Sequence, residues 1–167
     1  FVNKMDREVK APLDLFDEIE AELGMSVVPF TWPVGMGKIF GGVLDLRRDQ
    51  MRVFSGGEDR LKGGDETVEG IANPALAQRF GMAYEQAAGE IELVQHAAPG
   101  FDEAEFLAGH QTPMFFGSAI NNFGVKELLD TFIRISPEPR SRDTTARHVD
   151  VQEDKFSGFI FKIQEER

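Results

Sequence analysis

Twice in this chain an apolar, strand-like run empties into a short loop that is followed by a helical pattern. Phe1-Val2 leads into Asn3-Lys4-Met5-Asp6 and then a helix opening at Pro12. Far downstream, Thr112-Pro113-Met114-Phe115-Phe116 leads into Gly117-Ser118-Ala119 and then a helix opening at Gly124. Strand, tight loop and helix in that order are the unit of α/β folds, in which ligands are met by the loops at the carboxyl ends of the strands. With 167 residues, 41% of them hydrophobic and 28% charged, the chain has the material for one sizeable core. Phe1-Val2 reads as the end of a buried strand, so the natural beginning is expected upstream of Phe1.

The first loop has the pattern Asn-Lys-x-Asp, the tetrapeptide with which GTP-binding proteins read the guanine base. The chemistry asks for these residue types. The Asp6 carboxylate has two oxygens that accept from guanine N1–H and from its exocyclic amine, whereas adenine offers neither donor there. A site built to pair a substrate donor rejects the analogue that lacks it, because a buried polar group is then left unpaired. Asn3 is expected to tie the loop together and face the base edge, and the aliphatic stem of Lys4 to lie along the purine face. Four residues with three specified also occur by chance at strand ends, so the rest of the chain has to carry weight.

Composition narrows the alternatives. Against 18 basic side chains stand 29 acidic ones, a net charge of -11, which disfavours free DNA or RNA binding driven by phosphate neutralisation. Cysteine is absent, which removes disulfides and thiolate chemistry and fits a reducing compartment, so a cytoplasmic location is expected. No apolar stretch approaches the roughly 18 residues that would span a bilayer, and no leader-like segment opens the chain. His96, His110 and His148 lie far apart without ligand spacing and read as surface or loop residues, so no metal site is expected.

Between the two loops the pattern changes. Leu13, Phe16, Ile19 and Leu23 recur at helical spacing until Gly24, with Asp14, Asp17, Glu18, Glu20 and Glu22 on the wet face. Residues 27–33 read as one strand, with Pro29 and Pro33 marking a sheet edge or the strand's ends. Gly35-Met36-Gly37-Lys38 looks like a phosphate loop but fails the pattern Gly-x-x-x-x-Gly-Lys-[Ser/Thr]: Trp32 stands at the first glycine's place and Ile39 follows the lysine. It reads as a turn entering a hairpin of strands 39–46 and 51–54, with Arg47 and Arg48 in a solvated turn. The glycine-rich residues 55–73 read as a mobile surface excursion. One long helix is expected from Asn73-Pro74 to Ala98, and a short one from an Asp102/Glu105 capping box to Ala108. On the helix after Gly124, Val125, Leu128, Leu129, Phe132 and Ile133 share a face. Residues 136–145 read as a linker, and 156–163 alternate like a strand.

In this order the chain resembles the bacterial class-II release factors, the release factor 3 family of translational GTPases. Asn3-Lys4-Met5-Asp6 looks like the fourth GTPase motif and Gly117-Ser118-Ala119 like the fifth. The more specific resemblance lies in Pro29 to Gly35 leading to Lys38 to Val43, in Phe106 to Gly109 before Thr112-Pro113, and in Asp154 to Ile163. It implies an α/β fold: the C-terminal part of a P-loop-type GTPase domain with an α+β insertion, plus the first strand of a truncated β-barrel domain. The implied division is 1–26 and 111–135 for the GTPase domain, 27–110 for the insertion, 136–148 for the linker and 149–167 for the second domain. It also implies guanine binding by Asn3, Lys4, Asp6, Ser118 and Ala119, with the N–H near Ala119 meeting guanine O6. For the longer protein it implies a ribosome-bound hydrolase of GTP, using GTP or GDP with Mg, that drives class-I release factors off the ribosome. The family's phosphate loop and switch segments would lie upstream. This piece is therefore expected to hold no nucleotide tightly and to hydrolyse none, and its bared sheet edges to invite self-association. The rival readings are a fragment of another ribosomal GTPase, such as elongation factor G or a ribosome-protection protein, and a non-catalytic module that contacts the ribosome or another protein.

Overall fold

In the computed structural model, residues 1–54, 66–97, 99–160 and 162–164 are described. They fall into two units, Phe1–Ile135 and Ser136–Arg167. The first is α/β with mixed sheets. It runs α1 (Pro12–Leu23), β1 (Ser26–Pro29), β2 (Thr31–Val34), β3 (Gly42–Asp45), β4 (Gln50–Val53), β5 (Thr67–Glu69), α2 (Pro74–Phe80), α3 (Met82–Ala97), α4 (Glu103–Ala108), β6 (Gln111–Met114) and α5 (Val125–Ile135). Among the described residues, the second holds the short antiparallel pair β7 (Arg142–Asp143) and β8 (His148–Val149).

Helix α1 starts where Pro12, whose missing N–H costs nothing in a first turn, sets the backbone, and it stops at Gly24 in the left-handed region with its N–H donated to Glu20 O. Phe16 faces the core, and the Glu20 carboxylate accepts from the Val27 N–H at 2.8 Å, tying the helix to the next strand.

The apolar run 27–33, expected as one strand, is two strands in two sheets. β1 pairs in parallel with β6, and β2 pairs antiparallel with β3 in a sheet of order β2-β3-β4-β5. Phe30 is the hinge between them. Its N–H donates to Met114 O at 2.9 Å and its carbonyl accepts from Leu46 N–H at 2.9 Å, so one residue is hydrogen-bonded into both sheets. The apolar run continues on either side of such a switch, with both strands buried almost throughout, which is why it is invisible in sequence. Pro29 and Pro33 sit on strands at the ends of their sheets, where a lost donor is tolerated. Gly35 to Lys38 do form the connection between two hairpin strands, through a single 3-10 turn at Gly37–Ile39, so Ile39 is outside the strand. Of the excursion at 55–73, residues 55–65 lie outside the described residues; the remainder supplies β5, paired with β4.

The long helix expected from 73 is broken at Gly81, whose φ of 52° and ψ of -131° suit glycine and few others. Asn73 caps α2 by accepting from Ala75 N–H at 3.0 Å. Helix α3 then turns Ala87, Ile91 and Val94 inward. Opposite them lies Trp32, fully buried, its ring 5.4 Å from that of Phe116 and its Nε1 donating to Glu90 Oε2 of α3 at 2.9 Å. The α4 cap is half of a capping box: Asp102 accepts from Ala104 and Glu105 N–H, but its own N–H donates to Gln111 Oε1, and Glu105 pairs with His110 instead.

Three further expectations change. On α5 the apolar face is divided: Leu128 packs against Val28, Phe30 and Phe115, whereas Leu129, Phe132 and Ile133 are 52%, 62% and 78% exposed, and Glu127, Thr131 and Ile135 are buried. The buried side carries an ion pair. Arg52 of β4 donates to Glu127 at 2.7 Å with the two side chains 13% and 3% exposed, and a carboxylate taken out of water has to stay with its partner. Arg47 and Arg48 do more than face solvent, since the Arg47 guanidinium lies 5.0 Å from the Phe30 ring and Arg48 bridges Asp45 and Asp130. In the second unit, the expected linker carries β7, whose partner β8 lies across the expected boundary at 148/149, and the described residues of 156–163 form no strand. An extended segment without a neighbour for its N–H and C=O groups is not stable as a strand.

Candidate functional site

The two strand-end loops meet. Val2 N–H donates to Phe115 O at 2.7 Å, Gly117 N–H to Val2 O at 3.0 Å and Met5 N–H to Gly117 O at 3.1 Å, a ladder that lays the first loop along the second. Met5 is completely buried and anchors the first loop from below. Its carbonyl accepts from Gly37 N–H at 2.9 Å, so the β2–β3 connection buttresses the same loop. Lys4 takes the left-handed conformation, φ 71°, which lets its carbonyl accept from Arg7 N–H at 2.9 Å and turns the chain sharply at the loop's tip.

Within that frame the side chains expected at the site converge. Ser118, buried, donates its hydroxyl to Asp6 Oδ1 at 2.5 Å. Asn3 Oδ1 accepts from Lys4 N–H at 2.7 Å and from Ala119 N–H at 2.8 Å, which ties the first loop together and locks it to the second. The Ala119 N–H that was expected to face a ligand oxygen is thus engaged by Asn3. A ligand oxygen would share that donor or displace the Asn3 amide from it. The Asp6 carboxylate keeps acceptor capacity beyond the Ser118 bond, since an ionised carboxyl offers about four lone-pair positions. Lys4 is exposed beside it.

The second loop is shaped by its own closure. Ser118 and Phe123 exchange both N–H···O bonds at 3.0 Å around a 3-10 turn, Ala119–Asn121, which ends at Asn122 in the left-handed region. Two glycines make the close approach possible. A Cβ on Gly117 would come within 2.3 Å of Phe123 O, and one on Gly124, φ 78°, within 2.4 Å of Phe116 O. The core reaches this loop as well, for Thr31 Oγ1, at the start of β2, accepts from Phe116 N–H at 2.9 Å.

Two contributors were not singled out from sequence. Asn121 Nδ2 donates to Ser118 Oγ at 2.7 Å, and Gly37 had only been set aside as a failed phosphate loop. A polar residue three positions after a small hydroxyl residue in a turn was the available signal for the first. Nothing local marks the second, because its partner is Met5. Among the described residues, no three His, Cys, Asp or Glu side chains converge as a metal site. Nor is any helix among them long and apolar enough to cross a membrane.

Comparison with known proteins bears on the whole chain. It is 59% identical over 164 residues to peptide chain release factor 3 of Bordetella avium, 60% identical over 164 residues to that of Bordetella petrii, and 58% identical over 166 residues to that of Nitrosomonas europaea. Each alignment covers 98% of this chain and 31% of the relative, so the chain spans about a third of the length of the curated relatives it matches. No protein-family model matches it.

Proposed function

We propose, for a chain homologous along 98% of its length to peptide chain release factor 3, that its two joined loops read the guanine base of GTP or GDP inside a translation termination factor. One observation carries this reading: Asp6 and Ser118, 112 positions apart, are brought into hydrogen-bond contact with a carboxylate left free to accept from a base edge. Asp6 would take guanine N1–H and the exocyclic amine, the Lys4 stem would cover the purine face, and Ala119 N–H would serve O6 in exchange with Asn3. Ser118 holds the carboxylate in place for that contact.

In this reading residues 1–26 and 111–135 belong to a P-loop-type GTPase domain, 27–110 form an insertion in it, and 136–148 and 149–167 lead into a β-barrel domain. Phosphate contacts, Mg and hydrolysis are assigned to parts of the longer protein, which would act on the ribosome to displace class-I release factors. Homology to named release factors favours this over elongation factor G or a module without nucleotide chemistry.

The test is Asp6→Asn in the full-length protein. Replacing one acceptor oxygen by an amide removes a charge-assisted pair of hydrogen bonds, so GDP affinity should fall by at least about 100-fold while xanthosine diphosphate, with its C2 carbonyl, gains. Unchanged preference between the two nucleotides would overturn base reading by Asp6.

A further inference from the structure

We propose that Asn121 is a positioning residue for base selection, fixing the Ser118 hydroxyl so that its single proton is committed to Asp6. The inference rests on the guanine-reading function proposed above and assigns one more residue to it. A serine hydroxyl has one hydrogen to give and two lone pairs to receive with. Asn121 Nδ2 occupies one lone pair at 2.7 Å, and the hydrogen goes to Asp6 Oδ1 at 2.5 Å. The direction of the relay follows from its first member. A donor at 121 leaves the hydroxyl proton for Asp6, whereas an acceptor at 121 would compete for it.

The backbone delivers the Asn121 amide to that place. Residues Ala119–Asn121 form a single 3-10 turn, Asn121 N–H donates to Ser118 O at 3.0 Å, and Asn122 reverses the chain with φ 51°. The side chain therefore lies back over the residue three before it. Ser118 is completely buried, so its hydroxyl has protein partners in place of bulk water, and removing one of them redirects it.

Orientation matters here because guanine uses both faces of the contact. Its N1–H and amine need two carboxylate lone pairs in the plane of the base, while hypoxanthine, which lacks the amine, needs one. A carboxylate allowed to rotate loses more of a two-point contact than of a one-point contact. Asn121 should therefore set the preference for GDP over inosine diphosphate, beyond any effect on affinity as such.

The experiment measures dissociation constants for GDP and inosine diphosphate on the full-length protein and its Asn121→Asp and Asn121→Ala variants. Asn121→Asp, nearly isosteric, turns a donor into an acceptor and sets a second negative charge beside Asp6; the GDP to inosine diphosphate preference should drop by about 10-fold. Asn121→Ala should lower it several-fold. A misfolded fraction would weaken both nucleotides alike and leave the ratio intact, so the ratio reports on the carboxylate. Wild-type ratios in both variants would overturn the role of Asn121. Asp6→Asn, measured alongside, separates the two ideas: if it switches the protein toward xanthosine diphosphate while the Asn121 ratios stay at wild type, only the relay fails. If Asp6→Asn changes no preference, base reading itself fails.

Discussion

Gly124 is the residue on which the geometry of the second loop turns. With φ at 78° and Phe116 O only 2.4 Å from where a Cβ would stand, it is constrained by both its own backbone and a neighbour that cannot move without breaking the strand end. Gly124→Ala should cost about 2–4 kcal/mol, combining left-handed strain with a backbone clash. Urea unfolding of the variant measures this, and a loss below about 0.5 kcal/mol, the range of ordinary surface changes, would contradict it. At this scale the site was partly legible. Asn3, Lys4 and Asp6 could be named from their motif and Ser118 and Ala119 from the family resemblance, and the structure places all five along two touching loops. Asn121 and Gly37 could not, since their roles depend on partners that only the fold brings near. The engagement of Ala119 N–H by Asn3 was equally hidden, because a backbone donor's partner leaves no mark on its own residue.

Elements were legible where one face meets one environment and illegible where two compete. Helix α1 around Phe16 and strand β4, with Met51 and Val53 buried between half-buried neighbours, follow their hydrophobic periods. Helix α5 does so only in part, for Leu128 packs inward but Glu127, paired with Arg52, shares the buried side while Leu129, Phe132 and Ile133 are left to solvent. Phe30 divides a uniform apolar run between two sheets, and Gly81 divides a uniform helical run into two helices, neither of which alters the local pattern. The β7–β8 pair shows what a polar, proline-bearing stretch can still do. Following β8, Glu153 accepts from both terminal nitrogens of Arg147, at 2.6 and 2.8 Å, and from Ser157 at 2.7 Å. These partners, the Arg147 bond above all, hold the Glu153 carboxyl down to about 2. A carboxyl lowered in the folded state contributes stability above its unfolded titration range and loses that contribution as pH falls toward about 2. Carboxyl NMR should accordingly find Glu153 ionised at pH 3, and Arg147→Ala should return its midpoint to about 4.3. A wild-type midpoint already at the usual glutamate value would show that the pair does not persist in solution.

For the molecule as a whole, a net charge of -11 would ordinarily keep copies of the chain apart. Leu129, Phe132 and Ile133 work against that on α5, together with the strand end at Val2, which is bonded only on the Phe116 side among the named pairings. The isolated 167-residue chain should therefore self-associate weakly, with a sedimentation mass that rises with concentration and with salt as charge repulsion is screened. A monomer mass at every concentration and salt would rule this out. The join between Asp6 and Ser118 has a consequence in time as well as in space. Its halves are separated by nearly the whole first unit, so the contact closes late and belongs to the high-sequence-separation class that forms only after the intervening chain has collapsed. During synthesis the Asn3–Asp6 loop stays without its counterpart until residue 121 has cleared the exit tunnel. A site joined in this way exists only in a chain that has already folded across its first unit, so a ligand that needs both loops would be met by the folded unit and not by unfinished chains.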